Sequence, residues 1–141
     1  MVKKAYTVDG DYVADVKIHR LNKLNVNLLI PKTSIAGNYW LGVLDDEGDF
    51  RVVYIGRSDD RLNERLCDHV DGIAAGNELQ DYNDQQIYFS FSYAKDAKDA
   101  YYQECEDYHR FDDGESGEGC FKNKIHPDSP DNTGLECPYC D

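Results

Sequence analysis

Tyr39-Trp40-Leu41-Gly42-Val43-Leu44, Asp45-Asp46-Glu47-Gly48-Asp49 and Phe50-Arg51-Val52-Val53-Tyr54-Ile55-Gly56 form one continuous stretch that decides the fold. Two runs rich in β-branched and aromatic residues flank a cluster of turn formers, which predicts a β-hairpin. Arg57-Ser58-Asp59-Asp60 then offers several N-cap side chains. A helix is expected from about Asp60 to Ala75, because Leu62, Leu66, Val70 and Ile73 fall on one stripe. Arg61, Arg65 and His69 recur every four residues on the adjacent face, and Gly76-Asn77 supplies the stop.

Working outward, Ile87, Phe89, Phe91 and Tyr93 alternate with Tyr88, Ser90 and Ser92, which predicts a strand with one buried face. A second helix should run from about Asp96 to Phe111 and end at Asp112-Asp113-Gly114, followed by an acidic, glycine-rich loop to Gly119. The tail from Asn123 to Asp141 is rich in Pro and Asp and needs an anchor to be ordered. Upstream, Tyr12, Ala14, Val16 and Ile18 alternate like a strand, while Leu24 to Ile30 fits either a strand or a helix.

The 141 residues suit one domain, and 40% apolar with 12% aromatic residues excludes a disordered chain. No run approaches the roughly 18 apolar residues of a membrane helix. Met1-Val2-Lys3-Lys4 leads into polar sequence, not a secretory core, so a cytoplasmic location is expected. The net charge of −13, from 28 acids and 15 bases, runs against ordinary nucleic-acid binding. It is uneven: residues 1–32 hold Lys3, Lys4, Lys17, Arg20, Lys23 and Lys32 against Asp9, Asp11 and Asp15. That segment reads either as incidental or as a weak contact to a polyanion.

Gly37-Asn38-Tyr39 followed by Tyr54-Ile55-Gly56 resembles the paired signature of the GIY-YIG nuclease family. Arg65 and His69 repeat that family's Arg-x-x-x-His helix spacing, Glu104 matches its metal-binding glutamate, and Asn123 is similar to its closing asparagine. Asn38 stands where an isoleucine is usual. The likeness covers residues 36–123 and implies a core of α/β (α+β) class, with a small, mostly antiparallel three-stranded sheet flanked by helices. Residues 1–35 would pack on that core and 124–141 would form a tail. It further implies one-metal hydrolysis of DNA with Mg²⁺ or Mn²⁺ on Glu104. Arg65 would donate a fork of hydrogen bonds to phosphate oxygens, and Tyr39 would orient or deprotonate the water, helped by Tyr54 or His69. A protein partner would help supply specificity. From a different class, the alternative is a non-catalytic, zinc-stabilised module that binds nucleic acid or a protein.

The cysteines are Cys67, Cys105, Cys120, Cys137 and Cys140, an odd count that argues against a disulfide framework. Cys137-Pro138-Tyr139-Cys140 has the Cys-x-x-Cys spacing of a structural Zn²⁺ knuckle. Cys105 and His109 lie four apart on the expected second helix and are the preferred completing pair, with Cys120 and His126 as the alternative.

Overall fold

The computed structural model describes residues 1–72, 86–112, 121, 123, 126–130 and 133–140. Its elements run β1 (Val2–Tyr6), β2 (Tyr12–Lys17), β3 (His19–Arg20), α1 (Lys23–Leu29), β4 (Gly37–Leu44), β5 (Phe50–Ser58), α2 (Leu62–Val70), β6 (Tyr88–Tyr93) and α3 (Ala97–Phe111). The mixed α/β class stands, but the sheet has six strands in the order β2-β1-β5-β4-β6-β3, not three. The alternation from Tyr12 to Ile18 matches β2, but sequence periodicity misses β1 for a physical reason. Strand β1 carries Lys3 and Lys4, buries only Ala5, and is held by backbone pairing rather than by an apolar face. It lies parallel to β5 through Ala5↔Phe50 and Tyr6↔Arg51, and the other pairings between these strands are antiparallel.

The hairpin β4–β5 forms the centre of the sheet. Its turn is fixed by Asp45, whose Oδ1 accepts from the backbone N–H groups of Glu47 (3.0 Å) and Asp49 (2.9 Å). The register slips by one residue between Leu41 and Gly42, so Leu41 faces Tyr54 while Gly42 faces Val52. This bulge leaves Val53 over and aims Val52 and Ile55 at the same side. Gly42 is required there, since a Cβ would run into the Arg51 backbone. Gly56 is required for a different contact: its missing side chain leaves room for the Tyr39 ring.

Helices cover both faces. On one side α1 and α2 bury Val26, Ile30, Leu62 and Leu66 against Tyr39, Leu41 and Phe89, each large apolar side chain contributing about 1.5–3 kcal/mol. On the other side α3 sets Phe111 against Phe50, Val52, Ile55 and Phe121. Asn38, a polar residue in an apolar run, donates to the Ala100 carbonyl at 2.9 Å and so docks α3 on β4. Trp40 adds an Nε1–H bond to Asp107 (3.0 Å) and a T-shaped contact to Phe111.

Several boundaries differ from expectation. Helix α2 begins at Leu62, with Ser58 Oγ accepting from the Arg61 N–H at 2.8 Å. It stops at Val70 because Gly72 takes φ +76°, a left-handed C-terminal conformation, and donates to the His69 carbonyl. Ile73 and Gly76-Asn77 lie outside the described residues. Strand β6 is covered on both faces at Phe89 and Ser90 and exposed on both at Ser92 and Tyr93. Leu24 to Ile30 resolves into α1, capped by Asn22, whose side chain accepts from the Asn25 N–H at 2.8 Å. Helix α3 matches expectation, with Asp96 as its N-cap. Among the described residues no helix is long and apolar enough to cross a membrane.

Because the clash at Gly42 is with backbone, no rotamer change relieves it. Gly42→Ala should destabilise the protein by about 1–3 kcal/mol, read as a melting temperature several degrees lower by circular dichroism.

Candidate functional site

Strand β5 ends where the sheet opens into a cleft of about 570 Å³ lined by Tyr54, Arg57, Arg65, Glu104, Asn123 and Asp128, among others. Strand β1 pairs with β5 only at Phe50 and Arg51, so the edge of β5 is open further on. Asn123 fills that edge: its Oδ1 accepts from the Ile55 N–H (2.7 Å) and its Nδ2 donates to the Ile55 carbonyl (2.8 Å). The side-chain amide thus replaces one rung of a β-ladder.

Arg57, which sequence reading did not single out, organises the cleft. Its Nη1 reaches Glu104 Oε1 at 2.5 Å, its Nε reaches Asp59 Oδ1 at 2.8 Å, and its Nη2 donates to the Asp128 carbonyl at 2.6 Å. Burial opposes the guanidinium charge, but Asp59 and Glu104 more than offset it. Burial pushes the Glu104 carboxyl up, against the pull of Arg57. The available sequence signal for Arg57 was its place at the open end of β5, followed two residues later by Asp59.

Tyr39 does not line the cleft. It is 1% exposed, and its hydroxyl lies 2.7 Å from His69 Nε2. Burial raises the Tyr39 hydroxyl far above its ordinary range, although Arg65 beside it pulls the other way. Tyr54 stacks edge-on against the same imidazole and does reach the cleft. Burial, aided by the Arg65 charge, drives the His69 ring down to about 3. Its Nδ1 is buried and has no hydrogen-bond partner among the described residues. His69 is therefore a neutral strut between two tyrosines.

A second cluster gathers beyond α3. His109, His126, Cys137 and Cys140 place one donor atom each within 4.8 Å of one another, positioned to hold a metal ion. His109 Nε2 is 3.3 Å from His126 Nε2, 3.5 Å from Cys137 Sγ and 3.4 Å from Cys140 Sγ. Cys140 Sγ is 3.3 Å from His126 Nε2. A tetrahedron with bonds of about 2.0–2.3 Å has edges of about 3.3–3.8 Å, so the spacing suits one zinc-sized ion. The tautomer fits as well. His126 Nδ1 lies 2.8 Å from the Pro127 carbonyl, which can only accept, so the proton sits on Nδ1 and Nε2 offers its lone pair.

His126 thus stands where Cys105 was expected. Cys105 is fully buried one turn deeper along α3, and burial pushes its thiol up to about 12. Helical spacing alone could not separate the two choices, because Cys105 and His109 do share a face. Cys120, the other alternative, lies outside the described residues.

Two outcomes follow from these sites. Purified protein should carry one divalent metal per chain by elemental analysis, with His126→Ala losing it and Cys105→Ala keeping it. The folded state disfavours protonated His69, so the unfolded chain binds the extra proton between about pH 6.5 and 3. Stability supplied by neutral His69 is complete above pH 6.5 and falls as the pH drops towards 3. Thermal melts of His69→Gln across this window should show a flatter acid limb than wild type. In comparisons with family models, curated proteins and solved structures nothing matches this chain, so both sites are read from their own geometry.

Proposed function

We propose that this chain is a phosphodiester hydrolase of the GIY-YIG kind, cutting DNA with Mg²⁺ or Mn²⁺ on Glu104, with structural zinc in the tail cluster. One observation carries the reading. Tyr54, Arg65, Glu104 and Asn123, far apart in sequence, line a single open cleft, and Tyr39 and His69 stand together behind Tyr54.

The donor set suits a hard cation. Arg57 engages Oε1 of Glu104, leaving Oε2, and Asp59 and Asp60 also line the cleft. When bound, the cation supplies charge neutralisation and a more acidic water. The protein's own groups do the rest. Arg65 faces the cleft with a cationic fork suited to two non-bridging phosphate oxygens, and it stabilises the charge that grows on them during attack. Tyr54, at the cleft surface, orients the attacking water. Tyr39, sealed from solvent, fixes His69 and through it the Tyr54 ring. The water-orienting role therefore moves from Tyr39 to Tyr54. Asn123 keeps β5 straight beside the reacting group.

Cleavage of plasmid, single-stranded and branched DNA in Mg²⁺ or Mn²⁺ tests the reading. Wild type should cut, while Glu104→Gln and Arg65→Ala should each lose about 10²–10³-fold. Tyr54→Phe should cost more than Tyr39→Phe. Equal cutting by all variants would sink the assignment. No cutting of any substrate by folded, zinc-loaded protein would favour the non-catalytic module, the reading that the acidic net charge supports.

A further inference from the structure

We infer that the pocket between α1 and α2 is a phosphate-binding subsite that receives a nucleic-acid strand continuing out of the cleft. The pocket holds about 280 Å³ and is lined by Lys23, Lys32, Thr33, Arg61 and Asn63, with Glu64 the single acid on its wall. Three cations against one anion is the reverse of the chain's overall balance of −13. Arg61 lines both this pocket and the cleft, so the two adjoin across its side chain. A strand whose reacting phosphate sits by Arg65 can set a neighbouring phosphate among Arg61, Lys23 and Lys32.

The pocket is held in shape from below. Asn63 is buried and donates to Asn27 Oδ1 at 3.0 Å and to the Ile30 carbonyl at 2.7 Å, which fixes α2 against α1. The cations above it are available. Lys23 pairs with Asp71 at 2.9 Å and Arg61 with Glu64 at 2.8 Å, but all four side chains are 40–63% exposed. Exposed pairs of this kind are weak and yield readily to a phosphate. Lys32 has no ion pair among the described residues. Lysines and one arginine with a hydroxyl beside them suit backbone phosphates and carry no base readout. The net-acidic remainder of the chain repels a polyanion, which favours an approach over this basic pocket.

The inference takes the strand's identity from the hydrolase reading, but it is tested by binding alone. Fluorescence anisotropy of labelled duplex DNA, without Mg²⁺ or Mn²⁺, is measured over a range of salt for the full chain. Lys23→Gln/Lys32→Gln should lower the slope of log K against log salt by about 0.9, one phosphate contact's worth. Lys23→Arg/Lys32→Arg should restore it, and Lys95→Gln/Lys98→Gln, at the start of α3, should match wild type. Binding that persists in inorganic phosphate at matched ionic strength distinguishes a strand from a free anion. An unchanged slope in the glutamine pair, an equal loss in the α3 control, displacement by inorganic phosphate, or no DNA binding by wild type would each overturn the proposal. Cleavage failure with the slope change intact removes the hydrolase reading and leaves the subsite standing.

Discussion

Arg57 is a charge that the fold has drawn largely out of water, its side chain 13% exposed, and such a charge persists only where its donors are satisfied. Its three partners come from three places: Asp59 just beyond β5, Glu104 in the middle of α3, and the Asp128 carbonyl in the tail. Sheet, helix and tail are therefore joined at one guanidinium. The cleft takes its shape from this junction, since Glu104, Asp59 and Asp128 are all on its wall. The cluster positioned to hold a metal ion lies on the same path, because His126 is two residues from Asp128 and His109 is on the helix that carries Glu104. A metal held there shortens the freedom of the tail and, with it, the freedom of the carbonyl that steadies Arg57.

Much of the core was legible because its elements carry local signals. The hairpin shows as two β-branched and aromatic runs around a turn, α2 as the Leu62–Leu66 stripe, and α3 as a segment closed by Asp112-Asp113-Gly114. Strand β1 had no such signal, since what holds Lys3 and Lys4 in a strand is the pairing of their backbone groups with β2. The early stop of α2 depends on Gly72, a residue visible in the sequence but passed over in favour of the stronger Gly76-Asn77 signal.

The sites were legible in kind more than in detail. The Cys-x-x-Cys spacing and His109 were read correctly as members of a cluster that can hold a metal, but the fourth member, His126, is set by where an irregular tail crosses α3, which no local pattern encodes. Tyr39 and Tyr54 were both singled out by a tripeptide. Only the third dimension separates the sealed one from the one at the cleft surface, because β4 is interior to the sheet and α2 closes over Tyr39. Arg57 was missed because its importance lies in partners 47 and 71 residues away.

The parallel pairing of β1 with β5 bears on how the chain assembles as it is synthesised. Residues Val2–Tyr6 emerge long before Phe50–Ser58, and α1 and β4 intervene. Until β5 arrives, the β1–β2 ribbon shows a bare hydrogen-bonding edge, and two strands alone are marginal in water. Lys3 and Lys4 sit in the middle of β1, and such charges discourage a second ribbon from docking there. The lysines that hid this strand from periodicity are thus its protection during the wait for its partner.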